Sequence, residues 1–137
     1  MISLGADGVK RVQKRAEEKL KQCRKLMRTA GQRLSDLQSP IISDMPRSSS
    51  HGNAIEDRII RQVSAQQELQ EIYRAITWLT RDEQNLLIAK YFNNERPTDR
   101  MIMIDMGLSE RTFYRLHNRA LQEFAEAYMA GSLFQNA

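Results

Sequence analysis

Among 137 residues the sequence has one cysteine, two histidines, three prolines, six glycines and no long apolar run. Each scarcity excludes a class. A lone Cys23 cannot close an intramolecular disulfide, and with only His51 and His117 beside it the chain lacks the clustered ligands of a structural zinc site, so no metal and no cofactor is expected. Without roughly 20 consecutive apolar residues there is no membrane span. Met1-Ile2-Ser3-Leu4-Gly5 leads into charge rather than into a signal-peptide core, which predicts a cytoplasmic location. So few prolines and glycines leave long stretches free of helix breakers. The recurring residues (Gln, Arg, Leu, Ala, Met, Glu, Ile) mostly lose little rotamer freedom in a helix. An all-α fold with one modest core follows.

The charge is uneven. The formal net charge is +4, and residues 1–30 alone hold nine basic side chains against Asp7, Glu17 and Glu18. Residues 96–137 are balanced, and their basic charge is purely arginine: Arg96, Arg100, Arg111, Arg115 and Arg119. Both features suit a polyanionic partner, and a basic stretch such as 10–28 equally suits a solvated helix face.

From Val9 the apolar residues fall at Val12, Ala16, Leu20, Cys23, Met27, Ala30, Leu34 and Leu37, spacings of three and four that predict a long amphipathic helix. Residues 1–38 are read as a basic N-terminal helix, weakened or ended at Gly31. Its stripe needs a partner: either a second copy of the chain, giving a homodimer, or a later helix packed antiparallel. Its length tilts the reading towards the dimer. Residues 39–54, with two prolines and five serines, read as a linker. Ser48-Ser49-Ser50-His51-Gly52 lacks the glycines and lysine of a nucleotide loop, and His51 has no visible catalytic partner.

Residues 55–137 form the remaining helical domain. A stripe through Ile55, Ile59, Val63, Leu69, Ile72, Ile76 and Leu79 reads as a core helix. Thr80-Arg81-Asp82-Glu83 is a capping box that starts a helix over roughly 81–93. Thr98 can cap a short helix containing Ile102 and Met106. Gly107 supplies a turn, and Ser109 caps a further helix that carries Phe113, Leu116, Ala120 and Leu121 inward.

Short helix, glycine turn and capped helix match a helix-turn-helix. Leu108 is expected to plug the angle between the helices. Met103 departs from the pattern, because such motifs usually hold a small residue there. Burying the apolar face leaves Glu110, Arg111, Tyr114, Arg115, Asn118 and Arg119 outward, where Arg can grip guanine and Asn adenine. With Ser109 and Thr112 they are the candidate DNA-binding residues, and Lys10, Arg11, Lys14 and Arg15 are auxiliary phosphate contacts. The same spacing also fits a helical hairpin with no DNA role.

Leu86-Leu87-Ile88-Ala89-Lys90-Tyr91-Phe92, followed by Ile102 and the run Met106-Gly107-Leu108-Ser109-Glu110-Arg111-Thr112-Phe113-Tyr114-Arg115-Leu116-His117, resembles region four of bacterial sigma factors, which binds the promoter −35 element. Arg119-Ala120-Leu121-Gln122-Glu123-Phe124-Ala125-Glu126-Ala127-Tyr128 resembles the ending of ArpU and RinA type regulators of phages of Gram-positive bacteria, which act on late genes. The segment Asp44-Met45-Pro46-Arg47-Ser48 is similar to such phage proteins too. The resemblance covers roughly 44–128. It implies a sigma region 4-like helix-turn-helix, double-stranded DNA and RNA polymerase as partners, a bacterial host cytoplasm, and activation of phage or prophage genes.

Two other classes stay open: a DNA-packaging component of the small-terminase kind, and a polymerase-binding factor that does not read DNA. No enzyme is expected, because no nucleophile–base pair, carboxylate pair or ligand cluster recurs at useful spacing.

Overall fold

In the computed structural model, which describes residues 5–38 and 53–134, two residues divide the N-terminal stripe. Helix α1 (Ala6–Lys21) passes through Gln22 into α2 (Cys23–Ala30), and α2 ends at Gly31, whose φ of 66° and ψ of 30° are left-handed. Glycine is the residue that enters that conformation without a Cβ penalty. Gln22 keeps helical angles (φ −79°, ψ −11°), so the buried stripe runs on through the irregularity. A short α3 (Leu34–Gln38) follows. The expected single long helix over 1–38 is therefore three helices among the described residues, two of them nearly continuous.

Helix α4 (Asn53–Ile76) runs antiparallel to α2. Lys19, just before α2, pairs with Glu68 at 2.7 Å, and the side-chain amides of Gln62 and Gln66 donate to the Ala30 carbonyl at the end of α2. The apolar stripe of α4 behaves as core only from Ala65 onward, through Leu69, Ile72 and Ile76. Ile55 and Ile60 are exposed (48% and 62%). Both lie on the first half of α4, before its buried stripe begins at Ala65.

Helices α5 (Arg81–Tyr91), α6 (Asp99–Met106) and α7 (Glu110–Ala127) complete the fold, followed by two short 3-10 turns at Tyr128–Ala130 and Ser132–Phe134. The capping box at Thr80 forms: Glu83 N–H donates to Thr80 Oγ1 at 3.3 Å, and Thr80 N–H donates to Glu83 Oε1 at 3.0 Å. At the other end of α5, the Arg24 guanidinium donates to the carbonyls of Lys90 (2.6 Å) and Asn93 (2.8 Å), a cation on the negative end of a helix.

Val12, Ala16, Leu20 and Cys23 of the first two helices join Leu69, Ile72, Leu86, Phe113 and Phe124 in one core. The N-terminal stripe is thus covered from within the chain, by α4 and α7. Burial pushes the Cys23 thiol up to about 12, which leaves it an inert core residue. Residues 39–52, with most of the expected linker, Ser48 to Gly52 and the Asp44–Ser48 segment, lie outside the described residues. Asn53 and Ala54 already belong to α4. No described helix is long and apolar enough to cross a membrane.

Candidate nucleic-acid interface

Three local devices aim α7. Thr98 Oγ1 accepts from Met101 N–H at 3.2 Å and starts α6. Gly107 closes α6 with φ 66° and ψ 35°. Ser109 Oγ accepts from Thr112 N–H at 3.2 Å and starts α7. The Lys90 ammonium, 2.9 Å from Asp99 Oδ1, ties α6 to α5. Met103, Met106 and Leu108 are half-buried against the core, so the bulk of Met103 is accommodated by partial burial.

Phe113, Leu116, Ala120, Leu121 and Phe124 fix the rotation of α7 by burying one face. At 100° per residue, Arg111, Arg115 and Asn118 then fall within an arc of about 60° on the opposite face, and all three are exposed. None of these three side chains has a hydrogen-bond or ion-pair partner among the described residues. Tyr114 flanks the arc, 44% exposed, with its ring edge-on to Phe113 at 5.3 Å. Two arginines and an amide without internal side-chain partners, flanked by a phenol, form a row suited to base edges and phosphates.

The other expected site residues are used differently. Ser109 and Thr112 bond to each other at the helix start, Ser109 Oγ donating to Thr112 Oγ1 at 2.9 Å, while Glu110 is the acidic residue of the first turn, favourable at a helix N-terminus. Arg119 lies at the edge of the arc, its Nε 3.6 Å from the buried Glu83 Oε2.

Of the flanks of α1, the one next to α7 is marked by Gln13, which donates its amide to the Asn118 carbonyl at 3.4 Å; Lys10 lies about 60° and Lys14 about 100° round the helix from it. Arg11, about 160° round the helix from Gln13, faces away. Arg15 turns to the far flank and donates to the Leu133 carbonyl at 3.1 Å. The expected group of four auxiliary contacts is therefore not assembled on one side.

Beneath the exposed row lies a polar network that the sequence pattern did not reveal. The Tyr91 hydroxyl on α5 donates to Glu17 Oε2 on α1 at 2.7 Å and lies 2.8 Å from His117 Nε2 on α7. Because the one phenolic proton goes to the carboxylate, His117 must carry its proton on Nε2 and donate to the phenol oxygen. Burial first, then the Lys90 charge, pushes His117 down to about 4. Burial also raises Tyr91, with Glu17 adding to it. Burial works against the Glu17 carboxylate, but the Tyr91 hydrogen bond and Lys21 outweigh it and hold it below its ordinary value.

A second polar site joins α5 to α7. Glu83 is fully buried, and its Oε2 has no hydrogen-bond partner of ordinary geometry. The hydrogen bond shared with Glu83, with burial and the Glu83 charge adding, pushes Glu123 up to about 7. Burial alone would raise Glu83 itself, but its bonds with Glu123 and Thr80 hold it below its ordinary value. The two carboxyls oppose each other's ionisation, with the Arg119 guanidinium 3.6 Å from Glu83 Oε2. The described residues contain no group of three or more His, Cys, Asp or Glu able to hold a metal ion.

These features define an all-helical protein whose last long helix presents a cationic and polar row on a rigid core. A protein of Enterococcus hirae named "Putative autolysin regulatory protein ArpU" is 37% identical over 118 residues, covering 86% of each chain. The chain belongs to the ArpU family of regulatory proteins. No family model and no solved structure matches it.

Proposed function

We propose that the chain is a sequence-specific DNA-binding transcription regulator, an activator of phage or prophage genes, in which α6, Gly107 and α7 act as a sigma region 4-like helix-turn-helix. The observation that carries this reading is the exposed row Arg111, Arg115 and Asn118 on one arc of α7, with no internal partner and a buried face that fixes its direction. Membership of a family whose relative is named a regulatory protein supports it. In this reading α7 enters the major groove, Arg115 and Asn118 meet base edges, and Arg111 with Lys10 and Lys14 meets phosphates. RNA polymerase is the partner through which bound protein raises transcription, and the chain carries out no reaction.

Genome-wide mapping of bound fragments, with footprints aligned to transcription start sites, tests the proposal. A recurrent site upstream of a small set of starts is expected, with transcription from those starts rising when purified protein is added to polymerase. Binding scattered without a common sequence contradicts it.

A further inference from the structure

A groove of about 1020 Å³ runs between α2 and the first half of α4. Lys25 and Arg28 stand on one wall, Arg58 and Arg61 on the other. All four are exposed, and none has an ion-pair partner among the described residues. Glu68 is the one carboxylate in the lining, and Lys19 already neutralises it at 2.7 Å. Apolar surface lies between the charges: Leu26 is half-buried and Ile60 is 62% exposed.

Four uncompensated cations call for an anionic occupant, and the apolar surface says which kind. A phosphate backbone would satisfy the charge but leave Leu26 and Ile60 uncovered. Arg24 of α2 is bonded to the end of α5, and no residue of α5, α6 or α7 lines the groove. A second copy presenting the same groove would bring two sets of four cations together. A helix with one apolar row and flanking carboxylates satisfies both features, the row covering Leu26 and Ile60 and the carboxylates pairing across the walls.

We infer that the α2–α4 groove docks an acidic amphipathic helix of a partner protein. The inference stands apart from DNA reading by α7, since it uses none of the same residues.

Two synthetic helical peptides with the same leucine row, one flanked by glutamates and one by lysines, test it against the full-length chain by fluorescence anisotropy and amide chemical shifts. The glutamate peptide should bind at least about tenfold more tightly than the lysine peptide, with shifts concentrated at residues 22–29 and 58–68. Arg58→Glu/Arg61→Glu should weaken it at least about tenfold at an unchanged melting temperature. Lys25→Glu/Arg28→Glu, on the opposite wall, should do the same and guards against a folding defect in the first variant. Equal binding of the two peptides, shifts outside the groove, or displacement of the glutamate peptide by a random DNA duplex through those same groove amides would overturn the inference.

Discussion

The Tyr91 hydroxyl on α5 lies 2.8 Å from His117 Nε2 on α7, and both side chains are buried. With Glu17 accepting the phenolic proton, three helices distant in sequence are joined by one directional chain of hydrogen bonds directly behind the exposed row of α7. Apolar packing sets how deep α7 sits, and this chain adds a preferred rotation.

The network makes stability depend on pH through His117. Its folded pKa, about 4, lies below the ordinary value of 6.5, so its contribution is fully present above pH 6.5 and is lost as pH falls towards 4. The sign follows from the unfolded state binding the proton more readily. Full loss would amount to roughly 3 kcal/mol for a shift of this size. Chemical denaturation between pH 7 and pH 4.5 should show wild type losing more stability than His117→Gln. Equal slopes would mean that His117 titrates normally in the folded chain.

Glu123 behaves in the opposite sense. Its folded pKa of about 7 lies above the ordinary 4.5, so protonated Glu123 stabilises the fold below pH 4.5 and that stabilisation fades as pH rises through 7. Glu123→Gln supplies an amide donor to Glu83 at every pH and should stabilise the chain at pH 8. The gain should be about 1 kcal/mol or less, because solvent reaches Glu123 and screens the pair. A variant less stable than wild type at pH 8 would show that the two carboxyls do not repel each other in the folded chain.

Gly107 has φ 66°, and a Cβ built there would meet nothing within 4 Å. The cost of Gly107→Ala is therefore purely conformational, about 1 kcal/mol. Gly107→Asn should recover most of it, since Asn tolerates the left-handed region. Melting curves of the two variants decide the matter: equal losses for Ala and Asn would point to a steric cause.

What could be read in the sequence, and what could not, divides by range. The caps at Thr80, Thr98 and Ser109 and the turn at Gly107 are encoded within three or four residues, and the structure places all of them where the local chemistry required. The apolar phase of α7 was equally legible. The Val9–Leu37 stripe was visible, but its partner was not: Val12, Leu20 and Cys23 are fully buried in the chain's own core, against α4 and α7. Ile55 fails as core because nothing in its own helix records that the buried stripe of α4 begins at Ala65. The Glu17–Tyr91–His117 chain joins residues up to 100 positions apart, beyond any local pattern. One signal was available, since His117 falls on the buried arc between Ala120 and Leu121.

The two flanks of α1 should differ in their contribution to DNA affinity. Lys10→Ala/Lys14→Ala should flatten the dependence of log affinity on log salt by about 0.9 per lost phosphate contact, on specific and random duplexes alike. Arg11→Ala should leave the slope unchanged. Salt titrations of both variants check the assignment, and a slope that changes only for Arg11→Ala would place DNA on the other side of α1.

The most direct test of DNA reading by α7 is the affinity of Arg115→Ala for the mapped site, set against its affinity for a random duplex at the same salt. Arg115 is exposed and unpartnered among the described residues, so its loss leaves the core intact. Readout of bases by α7 predicts a loss of roughly 1–3 kcal/mol on the specific site, a smaller loss on the random duplex and an unchanged melting temperature. Wild-type affinity for the specific site in that variant would contradict it.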